Sequence, residues 1–127
     1  MVNARRAYQE SAARGANPVR LTILLYEQMI QDVARAAEAV RQRQPEACAQ
    51  EVGHAVAVIG YLQATLQPSA AESVSRNLSR FYTMIREQLM EAQVRSSRDI
   101  FEEIKRQLME VREAWNKVES DLSAKTP

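Results

Sequence analysis

His54 and Cys48 are the side chains best suited to covalent or metal chemistry, and each type occurs once in the chain. A single reactive histidine on a small helical bundle is the arrangement of a histidine-phosphotransfer module. Such a histidine must be exposed, and it is usually followed three residues later by lysine and then by glycine. Here His54 is followed by Ala55-Val56-Ala57-Val58, so the lysine is missing and the next turn is apolar. A di-iron bundle needs two Glu-x-x-His pairs on facing helices, which one histidine cannot supply. His-Glu-x-x-His, Cys-x-x-Cys and a phosphate-cradling glycine loop are absent from the sequence. Cys48 falls on an apolar helical seam, the setting of a small buried thiol and not of a nucleophile. No acid or base has an evident partner. The residues therefore point to no enzyme, no metal and no cofactor.

What the chain has in excess is apolar helical surface. Asn17 to Glu27 reads N-P-V-R-L-T-I-L-L-Y-E. Asn17 can cap a helix, and Pro18 suits the first helical position because its missing N–H has no partner there in any case. Leu21, Ile23, Leu24, Leu25 and Tyr26 then point almost all the way round. At ~100° per residue, Leu21 and Leu24 fall beside Gln28, Gln31 and Arg35, on the side expected to face water. A strip of such residues on a soluble chain calls for a partner to cover it, unless the helix sits deep in a bundle corner.

Four long helices position these residues. The first runs from about Pro18 to Arg43, ended by Gln44-Pro45 because proline disfavours helix in the residue before it. The second runs from Pro45 to about Leu66 and stops at Gln67-Pro68. Ser69-Ala70-Ala71-Glu72 reads as a capping box opening a third helix that reaches about Val94. Ser96-Ser97-Arg98-Asp99 offers another cap, and the fourth helix reaches about Leu122. Short links force sequential helices to lie antiparallel, so the expected fold is an all-α, up-down-up-down four-helix bundle over 17–123. Residues 1–16 read as an arm or short helix, and 124–127 as a frayed tail. Spacings of three and four define the core seams. They are Tyr26, Met29, Val33, Ala36 and Val40 in the first helix, and Cys48, Val52, Ala55, Ile59, Leu62 and Leu66 in the second. The third contributes Val74, Leu78, Phe81, Ile85, Leu89 and Ala92. The fourth contributes Ile100, Ile104, Leu108, Val111, Trp115, Val118 and Leu122. Val56, Val58 and Tyr61, and Tyr82, Met84 and Met90, are left over.

Composition agrees with one helical domain. The 127 residues carry 17 basic and 16 acidic side chains, a formal charge of +1, so no global charge draws the chain to nucleic acid or acidic lipid. Arg5, Arg6 and Arg14 make a basic leader without an aromatic stacking row, which speaks against nucleic acid. A lone cysteine suits a reducing compartment. Arg5, Arg6 and Glu10 interrupt any signal-peptide run, and no apolar stretch is long enough to span a bilayer. The expected location is the cytoplasm, without stable membrane insertion.

The order of landmarks is Ala7-Tyr8, Asn17-Pro18, Leu21, Leu24-Leu25-Tyr26-Glu27, then Ala55 and Ile59, Asn77-Leu78 with Phe81-Tyr82, Leu89 with Ala92-Gln93, and Ala114-Trp115. It resembles the flagellar secretion chaperone FliS family across nearly the whole chain. Members of that family carry Ala-Tyr near the start, Pro-x-x-Leu-Ile-x-Met-Leu-Tyr-Asp-Gly, a Leu-Tyr pair, Leu-x-x-Ala-Asn and a late Trp. The chain departs with Glu27-Gln28 for Asp-Gly, Phe81-Tyr82 for Leu-Tyr, Gln93 for Asn, and Gln67-Pro68-Ser69-Ala70 for an acidic, glycine-bearing turn.

The resemblance implies a non-enzymatic export chaperone. It would bind the disordered C-terminal region of flagellin, keep it from polymerising in the cytoplasm, and hold it for the flagellar type III export gate. The physics would be helix-in-groove recognition coupled to folding. Expected partner-binding residues are Leu21, Ile23 and Leu24 as groove floor, with Tyr61 and Tyr82 as walls. Tyr26 matches the family's motif tyrosine, and its place on the seam gives it a packing role. Tyr8 matches the leader tyrosine, in an arm implied to lie over the empty groove and to help dock the export gate. The chain is expected to be a monomer or weak dimer. The alternatives are the phosphotransfer module and a generic bundle scaffold that dimerises through its spare face.

Overall fold

Proline and left-handed turns divide an alanine- and glutamate-rich chain into helices that only a bundle can bury. The computed structural model describes residues 18–66 and 72–124. They form α1 (Pro18–Arg41), α2 (Pro45–Ala64), α3 (Glu72–Arg95) and α4 (Arg98–Ala124), and no strand occurs among the described residues. The arm over 1–16 with Tyr8, the Asn17 cap, the Gln67-Pro68 stop, Ser69 of the capping box and the last three residues lie outside the described residues.

The two described links are stopped and started by local chemistry. α1 ends in a Schellman turn: the Gln44 N–H donates to the Ala39 carbonyl at 2.9 Å and the Arg43 N–H to Val40 at 3.0 Å, with Arg43 at φ 58°. α3 ends the same way. Ser97 N–H reaches the Ala92 carbonyl at 3.0 Å and Ser96 N–H that of Gln93 at 3.2 Å, with Ser96 at φ 47°. The sequence reading placed the first stop at Gln44-Pro45, yet the turn is already made at Arg43. Pro45 then opens α2 at its first position. Ser97 caps α4 by accepting the Ile100 N–H on its Oγ at 3.2 Å.

Each helix packs on its two ring neighbours, α1 on α2 and α4, and α3 on α2 and α4. Arg20, near the start of α1, meets Glu119, near the end of α4, at 3.5 Å. Gln63, near the end of α2, donates to the Ser79 carbonyl near the start of α3 at 3.1 Å. Neighbours therefore run in opposite directions, as the short links require.

Burial along the helices is lopsided. In α3 the buried residues are Tyr82, Ile85, Leu89 and Ala92, and in α4 they are Phe101, Ile104 and Leu108. Both sets cluster at the end of the bundle where α3 meets α4. At the other end, the first ten residues of α3 and everything in α4 beyond Leu108 hold no buried side chain. The bundle is thus a closed core at one end and loosely packed at the other.

Several seam assignments change for this reason. α1 packs more extensively on both of its neighbours than α3 does on its own, and it buries Leu21, Ile23, Leu25, Tyr26, Met29, Asp32, Val33, Ala36, Ala37 and Ala39. Leu21 and Ile23 were expected off the seam, but an arc this wide is enclosed by the chain itself, and only Leu24 remains exposed, at 37%. Tyr82 and Phe101 replace Phe81 and Ile100 as fully buried residues, and Val58 joins the core. Val74, Val118 and Leu122 were read as seam residues but lie exposed at the open end.

Candidate functional site

At the open end the loosely packed helices leave a cleft of about 420 Å³. α1 contributes Leu21 and Leu25 to it. Tyr61 and Leu62 come from α2 and Leu66 from just beyond its end, Val74, Leu78 and Tyr82 from α3, and Trp115 from α4. Thr22, Thr65 and Ser75 add hydroxyls among the apolar side chains. The apolar lining follows from the seam pattern continuing past the point where the helices close on one another. Val74 and Leu78 keep the heptad-like spacing of α3, yet Val74 is half exposed and Leu78 only partly buried.

A polar clamp sets the spacing of α2 and α3 beside the cleft. Gln63 Nε2 donates to the Ser79 carbonyl and, at 3.0 Å, to Thr83 Oγ1, while Arg86 donates to Gln63 Oε1. These hydrogen bonds add to the apolar packing of Tyr82 and Ile85 in holding this part of α3.

Tyr82, which lines the cleft, is paired with a second, fully buried tyrosine. The Tyr26 hydroxyl donates to the Tyr82 hydroxyl at 2.8 Å in a buried contact, with ring centroids 6.2 Å apart and tilted by 54°. Burial pushes the Tyr82 hydroxyl up to about 12. It raises Tyr26 further, with Tyr82 adding to the shift and the Trp115 side chain acting against it. Both stay neutral, so the pair presents no charge to the cleft.

The expected partner-binding residues separate into groups. Leu21, Tyr61 and Tyr82 are brought together around one cleft. Tyr82 lines it while its hydroxyl pairs with that of Tyr26. Tyr26 and Ile23 are fully buried, and Leu24 stands apart from the cleft lining. Tyr8 lies outside the described residues. Leu25, Leu66, Val74, Leu78 and Trp115 line the cleft and were read from the sequence as seam or unassigned residues. What marks them is that all sit at one end of an antiparallel bundle, information that requires the topology.

A second cluster was missed altogether. Asp32 of α1 meets Glu51 and His54 of α2, with one ligand-type atom from each lying within 4.8 Å of the others. Glu51 and His54 are spaced i,i+3, one face of a helix, and this was the available signal. Asp32 is fully buried and accepts a hydrogen bond from Gln28 Nε2 at 2.8 Å. Burial raises its pKa, opposed by the Gln28 hydrogen bond and increased by the charge of Glu51. Cys48, also on α2, is buried, and burial raises its thiol pKa, so it is protonated and shielded.

This four-helix ring with an apolar end cleft can be compared with known proteins. The family model described as Flagellar protein FliS matches residues 1–122. The chain belongs to the FliS family. It is similar to the flagellar secretion chaperone FliSB of Pseudomonas aeruginosa, 28% identical over 107 residues that span 84% of this chain and 85% of that protein. In this FliS-family chain the Pro18-to-Tyr26 block, which carried the resemblance, supplies both the opening turn of α1 and the buried tyrosine that pairs with Tyr82. No helix among the described residues is long and apolar enough to cross a membrane.

Proposed function

We propose that this chain is a non-enzymatic flagellar export chaperone, acting in the cytoplasm, whose open-end cleft takes apolar side chains from the C-terminal segment of flagellin. The observation that carries this reading is the cleft at the unsealed end of the bundle, lined from all four helices. A volume of about 420 Å³ accommodates a few anchoring side chains and not a whole helix. The client would therefore lie across the mouth as an amphipathic helix and insert its apolar residues. Ordering a disordered segment costs about 2–5 kcal/mol, which a small number of buried anchors at roughly 1.5–3 kcal/mol each offsets. Binding of that size keeps flagellin from polymerising and still permits release to the type III export apparatus. The family membership and the similarity to a flagellar secretion chaperone support the same reading.

The phosphotransfer alternative gains nothing from the geometry, because a phosphoryl group on His54 would sit against the carboxylates of Glu51 and Asp32.

Calorimetry with a peptide of the C-terminal flagellin segment tests the proposal. Val74→Asp introduces a charge into the cleft at a half-exposed position, so the fold should persist while affinity falls at least about ten-fold. Unchanged affinity in both Val74→Asp and Leu66→Asp, with melting temperatures like the parent, would remove the cleft from the binding site.

A further inference from the structure

We propose that Asp32, Glu51 and His54 form a binding site for a divalent transition-metal ion of the zinc class, joining α1 to α2. The starting point is a deficit of donors. Asp32 Oδ2 and Glu51 Oε1 are both buried and neither has a hydrogen-bond partner. Asp32 is fully enclosed, and its other oxygen already accepts from Gln28. His54 Nδ1 stands 3.5 Å from Glu51 Oε1. Buried carboxylate oxygens without donors are rare and costly, so a positive species belongs between them.

A shared proton satisfies only part of this arrangement. It can form one hydrogen bond between the two carboxyl groups, and a protonated His54, whose Nδ1 faces Glu51 Oε1 at 3.5 Å, offsets only one of the two negative charges. A divalent cation takes all three groups and neutralises the two carboxylates together. The imidazole decides the class of ion. Calcium and magnesium take oxygen ligands, whereas zinc and its neighbours bind imidazole and carboxylate together. Three protein ligands with an open outer side leave room for water as the fourth ligand.

The positions permit closure. With bonds of about 2.0–2.2 Å, tetrahedral ligands stand roughly 3.3 Å apart, against the present limit of 4.8 Å. The contraction falls on Glu51 and His54, whose side chains are 19% and 33% exposed and free to change rotamer, while Asp32 stays fixed by Gln28. None of these residues lines the end cleft, so the ion would fasten α1 to α2 without entering it.

The full-length chain, stripped with a chelator and then dialysed free of it, is titrated with Zn²⁺ by calorimetry and with Co²⁺ by visible absorption. One ion per chain is expected, with displacement of the His54 imidazole NMR signals and a rise in melting temperature. His54→Ala and Asp32→Asn should each weaken Zn²⁺ binding about ten-fold or more, and Cys48→Ala should not. Circular dichroism on each variant separates loss of the site from loss of the fold. Absence of saturable binding to the parent chain overturns the proposal. So does binding that survives in folded His54→Ala, or that disappears with Cys48→Ala.

Discussion

The hydroxyl of Tyr26 on α1 donates to that of Tyr82 on α3 at 2.8 Å, a link between diagonal helices that otherwise face each other across the core. Both residues are essentially fully buried. Both belong to the core and Tyr82 also lines the cleft, so the pair ties the one to the other. Tyr26→Phe removes the donor while the Tyr82 oxygen stays buried, and should cost about 1–3 kcal/mol. The double variant Tyr26→Phe/Tyr82→Phe should lose less than the sum of the two single changes, since it leaves no orphaned hydroxyl. Urea denaturation of the four proteins gives the coupling directly, and strict additivity would show that the two hydroxyls act independently.

Asp32 gives a pH dependence of definite sign. Its pKa is raised in the folded chain, chiefly by burial. The folded state therefore binds its proton more tightly than the unfolded state does. Stability from this group is complete below the unfolded value of about 3.9 and falls as pH rises through the folded value. Asp32→Asn keeps the acceptor for Gln28 and adds an amide that can donate to the unpartnered Glu51 oxygen. Measured in chelator, the variant should melt higher than the parent at pH 7, and the advantage should vanish near pH 4. An equal gain at both pH values would assign the effect to something other than the charge.

Leu24 and Ile23 are adjacent in sequence and opposite in environment, at 37% and 0% exposure. Leu24→Asp should leave thermal stability within about 0.5 kcal/mol of the parent, whereas Ile23→Ala should lose about 2–5 kcal/mol by opening a cavity. Flagellin-peptide affinity of Leu24→Asp then measures how far the binding surface extends beyond the cleft. A fall of about ten-fold or more is expected if the client wraps the outer face of α1, the geometry of helix-in-groove recognition.

Much of this molecule was legible without coordinates. The seam of α2 from Cys48 to Leu62 was read except for Val58, because spacings of three and four mark one main burial direction along a helix. Pro45 and Ser97 marked their helix starts because capping depends on a few neighbouring backbone groups. The family resemblance was legible for a similar reason, since its most specific block, Pro18 to Tyr26, is contiguous, and the family model matches residues 1–122. Three matters were settled only by the tertiary arrangement. Whether Leu21 and Ile23 face water depends on how extensively α2 and α4 pack on α1, and those are the two most extensive contacts among the described helices. The cleft depends on which helix ends gather at the unsealed side of the ring. The meeting of Asp32 with Glu51 and His54 depends on the vertical register of α1 against α2. Periodicity specifies a direction around each helix axis and says nothing of how far one helix slides along another, and that sliding is what brings distant side chains together.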